Sequence, residues 1–345
     1  MKTTTLGPLT VSRMCLGTML MGAATPRDES YRILDRFREA GGTFLDTADT
    51  YSDGGSEETL APWLVRHRDE VVLATKVRFT TSDPPGDGLA PERIAAACDA
   101  SLRRLGTDVI DLYQVHAPDP EVPLEDSLEA LDGLVRAGKV RALGVSNFPA
   151  WLLAWSVALQ DRHGWSPFIS MQPQYSLVER SIEAEILPFC RAAGLGVLPW
   201  GPLGAGFLSG KYKRGERPPE GSRIAGADET LEEAYERRAI ERHFRVVDAA
   251  AEIAEARGAT IPQVALAWLL GTEGVTAPIV GPRTFEQLEG VLGADELELT
   301  AEERARLEAP GGPPEVYPQR MLRDQNGIAD VARLARTVRP GSERS

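Results

Sequence analysis

VIDLYQVH (Val109–His116) and VRALGVSN (Val140–Asn147) are two apolar runs separated by a helix-like, charge-rich segment. Each ends in a polar side chain: His116 in the first, Ser146 and Asn147 in the second. A strand, a helix and a second strand in that order form a parallel unit, because the chain must cross back over the sheet before pairing again. The same alternation extends in both directions. Upstream lie MCLGT (Met14–Thr18), TFLD (Thr43–Asp46) and VVLATK (Val71–Lys76); downstream lie FISMQ, GLGVLPW and TAPIVG. Eight strand–helix units favour a closed (β/α)8 TIM barrel over an open α/β sheet. An N-terminal hairpin, TTTLGPLTVS, precedes them and turns at Gly7-Pro8. The first helix is expected to use Thr25 as its N-cap, to bury Ile33, Leu34 and Phe37, and to stop at Gly41 and Gly42. Pro91 suits the first turn of the third helix. A long loop follows the seventh strand, from Gly201 to about Thr230. Residues 1–345 read as one domain, with 310–345 a tail over or beside the barrel whose last residues are mobile.

Composition bounds the function. Lys plus Arg number 38 against 51 Asp plus Glu, a net charge of −13 that argues against nucleic acid and anionic membranes as partners. No apolar run approaches the length of a membrane span, and the N-terminus lacks a signal-peptide core. Three scattered cysteines suit reduced thiols in a cytoplasmic protein. The four histidines lack metal-site spacing, so no metal is expected. Oligomeric state leaves no mark.

The strand ends carry the chemistry. Asp46 closes the second strand, Lys76 the third, His116 the fourth, Ser146 and Asn147 the fifth, Gln172 the sixth and Trp200 the seventh, while Arg283 follows the eighth. In a barrel these ends share one rim, whereas the strand interiors read as apolar. A carboxylate and an ammonium on neighbouring strands keep Lys76 charged, and that cation beside Tyr51 makes the phenol a better acid. His116 is placed to orient a carbonyl oxygen. Each residue alone has a plainer use: Asp46 as a turn cap, Lys76 as a solvated strand end, Tyr51 as a loop aromatic, His116 as a half-buried ring. Together at one rim they point to catalysis. Ser146, Asn147 and Gln172 supply donors and acceptors for a carboxamide, and Trp200 a flat face for a ring. GPLGAGFLSGKY (Gly201–Tyr212) has the glycines that let backbone amides approach a pyrophosphate, without the Rossmann spacing. Lys211, Arg223 and Arg283 can meet phosphates, a 2′-phosphate included.

From about Leu6 to Leu307 the chain resembles the aldo-keto reductase superfamily. The resemblance rests on FLDTADTYSDGGSE (Phe44–Glu57), ATK (Ala74–Lys76), DLYQVHAPD (Asp111–Asp119), GVSNF (Gly144–Phe148), PQYSLVER (Pro173–Arg180), PWGPLGAGFLSGKY and IVGPRTFEQLEGVL. It is most similar to the bacterial branch that also resembles the potassium-channel β subunits. The resemblance implies NADPH/NADP+ bound extended and a small-molecule carbonyl substrate reduced by a tetrad of Asp46, Tyr51, Lys76 and His116. Cofactor contacts carry over to Gly17, Thr18, Ser146, Asn147, Gln172, Trp200, Pro202, Leu203, Gly206, Lys211, Arg223, Gly281, Arg283 and Gln287. Two departures bear on the cofactor. Gly290 and Val291 stand where the family often places Glu and Asn to hold adenine, and Gly201 replaces a commoner Ser. Two rivals follow from the same residues: a non-catalytic NADPH-binding regulatory subunit, and a barrel lyase using Lys76 as a Schiff-base amine. Met19, Met21, Trp63, Phe79 and Tyr317 are candidates for the substrate wall.

Overall fold

A computed structural model describes residues 1–219, 222, 235–310, 312 and 317–326. Strands β1 (Thr3–Leu6) and β2 (Leu9–Ser12) form the N-terminal antiparallel hairpin. The barrel is built from β3 (Cys15–Gly17), β4 (Phe44–Asp46), β5 (Val72–Val77), β8 (Ile110–Val115), β9 (Val140–Ser146), β10 (Phe168–Gln172), β11 (Gly196–Val197) and β12 (Ile279–Val280). A short hairpin that periodicity had not suggested, β6 (Thr81–Ser82) with β7 (Pro85–Gly86), rises from the loop after β5. The eight barrel strands pair in the order β12-β3-β4-β5-β8-β9-β10-β11, every pair parallel. The last seam is closed by backbone bonds: Val197 N donates to the Gly274 carbonyl, Thr276 N to that of Val197, and Ile279 N to that of Pro199. The seventh and eighth strands are shorter than expected because this seam has only those scattered bonds.

Helices wrap the outside: α1 (Arg27–Glu39), α2 (Gly55–His67), α3 (Pro91–Leu105), α4 (Leu124–Arg136), α5 (Ala150–His163), α6 (Ile186–Ala193), α7 (Tyr235–Arg238), α8 (Glu241–Arg257), α9 (Ile261–Leu270), α10 (Phe285–Glu289), α11 (Ala301–Glu308) and α12 (Gln319–Asn326). Ile33, Leu34 and Phe37 are the buried face of α1, as their spacing requires. Thr25 is not its cap. The helix starts after Pro26, whose extended backbone occupies the cap position without a side-chain bond, and the Thr25 hydroxyl points to the Arg283 carbonyl instead. Pro91 opens α3. Of the tail, α12 is tied to the barrel wall by Gln319 Nε2 donating to the Ala184 carbonyl, and residues 327–345 lie outside the described set. Among the described residues no helix is long and apolar enough to cross a membrane.

Alternation along each strand divides the core in two. Outward residues such as Leu45, Leu73, Tyr113, Leu143 and Met171 join the large strand–helix layer. Inward residues Cys15, Phe44, Ala74, Leu112, Ala142, Leu198 and Ala277 form a separate interior cluster with Leu6, Leu9 and Val11 of the hairpin. The hairpin therefore plugs the N-terminal end of the barrel, and the opposite end is left to polar groups. Leu6 is 1% exposed at the centre of that plug. Leu6→Ala should lower unfolding free energy by about 2–4 kcal/mol, read from the urea midpoint at unchanged slope. A loss under about 1 kcal/mol would show that the plug is not part of the core.

Candidate active site

One inward step above the apolar layer, the barrel interior turns polar. Lys76, Gln114 and Gly144 are register partners on adjacent strands, with Asp46 and Gln172 completing the ring. The expectation of apolar strand interiors is corrected here: Gln114 is fully buried in mid-strand. A Cβ on Gly144 would lie 2.3 Å from Ser170 Oγ and 3.2 Å from Gln114 Cγ, so a glycine makes room for the Ser170 hydroxyl and the stem of Gln114.

The hydrogen bonds of this ring are fully assigned. Lys76 Nζ donates to Asp46 Oδ1 at 2.5 Å, to the Thr47 carbonyl at 2.8 Å and to Tyr51 Oη at 3.0 Å. An ammonium has three protons, and all three are used. Asp46 Oδ2 accepts from Gln114 Nε2 and Gln172 Nε2, each at 2.9 Å. The pair is buried, Lys76 wholly and Asp46 to 2% exposure. Burial alone would discharge the lysine, yet the Asp46 charge, the phenol oxygen and the hydrogen bonds the ammonium donates to both hold it above the ordinary ammonium range. Lys76 stays protonated, which leaves it without the lone pair that a Schiff base requires.

Tyr51 sits on a loop fastened to the strands beneath it. Thr47 N donates to the Ala74 carbonyl and Asp49 N to that of Lys76. Ser56, at the start of α2, donates to the Thr18 carbonyl and shares bonds with the hydroxyls of Thr18 and Thr47, a buried knot joining two strand ends to the helix. Left-handed backbone at Ser52, Asp53 and Gly54 turns the chain back, and Asp53 accepts from the Ser82 amide and hydroxyl of the β6–β7 hairpin. His116 packs edge-on against Tyr51 at 5.7 Å and Phe79 at 4.8 Å between ring centroids. Burial and the Lys76 charge push its imidazole down to about 2, so the ring is neutral. Its Nδ1 is buried and has no protein partner among the described residues.

The same rim opens into a cleft of about 570 Å³. Asp46, Tyr51 and His116 line it with Gly17, Ser146, Asn147, Gln172, Trp200, Pro202, Leu203, Gly206, Lys211, Gly281, Arg283 and Gln287, and with Met19 and Met21. Gly290 and Val291 line it too, so no charged side chain stands at the two positions where the family often has Glu and Asn. Thr18 does not reach the cleft; its side chain is buried in the hydroxyl knot. Arg223 lies outside the described residues. Among the substrate-wall candidates, Phe79 stands half exposed beside His116, whereas Trp63 is packed in the helix layer with its indole on Asp35. Tyr317 is exposed and is not among the residues that line the cleft.

The walls are pre-organised. Asn147, in left-handed backbone, donates to the His116 carbonyl and the Ser146 hydroxyl and accepts from Trp200 Nε1 at 3.0 Å, fixing the indole. Ser146 Oγ donates to the Gln172 carbonyl at 2.7 Å. The arrangement fits an extended anionic cofactor. Burial and the positive charge of Arg283 lower the pKa of Lys211, so two cations face one cleft. A Cβ on Gly206 would come within 3.2 Å of Lys211 Nζ, and glycine keeps that approach open.

The structure brings Asp46, Tyr51, Lys76 and His116 together at one rim, and sequence reading missed the groups behind them. Gln114 had a signal, since it lies two residues before His116 on the same strand and therefore on the same face. Glu57, Arg93 and Arg104, beneath the Tyr51 loop, had none, because their pairing is set by how α3 packs against α2 and against the loop that precedes it.

The model of the aldo/keto reductase family matches residues 13–310. The chain is similar to the uncharacterized oxidoreductase YrpG of Bacillus subtilis, at 38% identity over 90% of this chain and 96% of that protein. It is similar to norsolorinic acid reductase stcV of Emericella nidulans at 36%, over 88% and 79% of the two chains. With versiconal hemiacetal acetate reductase of Aspergillus parasiticus it shares 32%, over 90% and 96%. A family match along the whole barrel, and reductases sharing about a third of their residues with it over most of their length, make this chain a member of the aldo/keto reductase family and an NAD(P)-dependent oxidoreductase.

Proposed function

We propose that the chain reduces a small aldehyde or ketone to an alcohol with NADPH, and that Tyr51 is the general acid. The observation that carries this reading is the triple donation of Lys76 Nζ, with its third proton on Tyr51 Oη. Because the phenol oxygen accepts from the ammonium, its own proton points elsewhere, and the cleft is the side on which Tyr51 is open. When Tyr51 gives that proton to a carbonyl oxygen, the ammonium 3.0 Å away stabilises the phenolate left behind. Asp46 keeps the ammonium oriented, and Gln114 and Gln172 keep Asp46 oriented in turn. His116 is neutral, so it directs the carbonyl oxygen by an N–H bond and does not compete as the acid.

Trp200, Ser146, Asn147 and Gln172 would hold the nicotinamide end of the cofactor; Pro202, Leu203, Gly206, Lys211, Gly281, Arg283 and Gln287 would hold the phosphates and adenosine. Bound there, NADPH supplies the hydride. The assembled acid and its buried cation argue against a purely regulatory, non-catalytic role.

Tyr51→Phe should lower turnover of a carbonyl panel by about 10²–10⁴-fold, with NADPH affinity by fluorescence titration nearly unchanged. Equal turnover in that variant removes the acid assignment. We further assign the 2′-phosphate to Arg283, which lines the cleft beside Gln287, so Arg283→Ala should weaken NADPH more than NADH; an equal loss for both places it elsewhere. His116 also makes a stability prediction. Its folded pKa of about 2 lies below the unfolded value of 6.5, so only the unfolded chain takes up a proton between them. This group's contribution is therefore lost as pH falls below 6.5. From pH 7 to pH 5, wild type should lose about 1–2 kcal/mol more than His116→Gln in urea titrations. Parallel losses in both proteins would mean that the imidazole is protonated in the folded state.

A further inference from the structure

A second set of buried charges lies behind the Tyr51 loop, on the outer side of the strands, and the proton transfer does not use it. Asp49 and Glu57 meet Arg93 and Arg104 of α3 there. Glu57, fully buried, is well bonded: it accepts from Thr75 Oγ1 at 2.6 Å and from Arg104 Nε at 2.8 Å, and Arg104 Nη2 adds an ion-pair contact at 2.8 Å. Asp49 is treated differently. It is 1% exposed, yet neither carboxylate oxygen accepts a well-formed hydrogen bond among the described residues. Its nearest cation is Arg93 Nη2, 3.7 Å away. Arg93 Nε and Nη1 and the hydroxyl of buried Tyr113 on β8 also lack partners there. Arg93 spends Nη2 on Thr81 Oγ1 at 2.9 Å, in the β6–β7 hairpin that also holds Asp53.

A buried carboxylate kept only for packing gathers hydrogen bonds, as Glu57 does. Asp49 instead has its one ion-pair contact among the described residues at 3.7 Å, with Arg93 across the boundary between the loop and α3. It is two residues from Tyr51, and its amide is bonded to the carbonyl of Lys76. We propose that Asp49 is a positioning residue for the proton transfer: its pairing with Arg93 holds residues 47–51 where Tyr51 Oη meets Lys76 Nζ. The inference rests on Tyr51 being the acid.

The groups facing Asp49 set when it is charged. Burial and Glu57 of α2 push its carboxyl up to about 7, against the opposing pull of Arg93, the Thr50 amide and Arg104. Tyr113 is the facing group from β8. Above about pH 7 the carboxylate is charged and paired with Arg93; below it the charge is lost and the loop loosens. Turnover therefore falls as pH drops through 7, by a route separate from Tyr51 itself.

Three measurements test this on the full chain. In Asp49→Asn, kcat at pH 8 should drop about tenfold, NADPH affinity should hold, and the limb near pH 7 should vanish. Arg93→Lys, which keeps a cation, should retain the limb with a smaller loss. Amide hydrogen exchange of residues 47–56 reads the loop without turnover. Corrected for intrinsic rates, protection in wild type should fall from pH 8 to pH 6, and in Asp49→Asn it should be low and pH-independent. A variant within twofold of wild-type kcat that keeps the limb overturns the proposal, as does wild-type protection that ignores pH. If Asp49→Asn does not fold, the wild-type exchange series and Arg93→Lys still decide. Failure of the acid assignment shows separately, as turnover retained in Tyr51→Phe.

Discussion

A single buried ammonium organises the polar end of the barrel. Moving a charge of that size from water into protein is strongly unfavourable, and a partner at good geometry only offsets it. Lys76 meets that condition because Asp46 is one strand away and the Thr47 carbonyl closes the second position. The third proton has one remaining acceptor, the Tyr51 phenol. The geometry of the acid thus follows from counting donors on a nitrogen that water cannot reach. Any change that returned water to this nitrogen would free the third proton and dissolve the relation between lysine and tyrosine.

The rest of the barrel supports that nitrogen in layers. Phe44, Ala74, Leu112 and Ala142 form an apolar layer closed from below by the hairpin. One inward residue further along each strand comes Asp46, Lys76, Gln114 or Gly144. Such a change from apolar to polar within two residues is possible only where each polar group finds a partner across the barrel. Gln114 and Gln172 bond each other as well as Asp46, so the carboxylate cannot rotate away from the lysine without breaking several bonds.

That architecture explains what could be read in the sequence. Strand ends are legible because a Lys or His closing an apolar run is conspicuous, and parallel topology brings all such ends to one rim. Gly144 is not legible as a site residue, because its role is an absence of side chain beside Gln114. Thr25 failed as a cap because Pro26 is itself extended, at ψ 154°, so α1 starts one residue later and its cap position falls on the proline. In each case the missed information concerns which face of a residue is taken by a distant part of the chain.

The Tyr51 loop lies between two buried sets of charge, and their difference is instructive. On the barrel side Asp46 and Lys76 are fully hydrogen bonded to each other and to their neighbours. On the helix side Asp49 and Arg93 stand 3.7 Å apart with polar atoms to spare. A saturated pair gives a rigid anchor; an under-bonded one gives a contact whose strength depends on a proton. Glu57 shows that the same patch can bond a carboxylate well through Thr75 and Arg104. The weak bonding of Asp49 is therefore a property of the position it holds, a loop that carries Tyr51 into the cleft while its backbone stays fastened to the strand that carries the lysine.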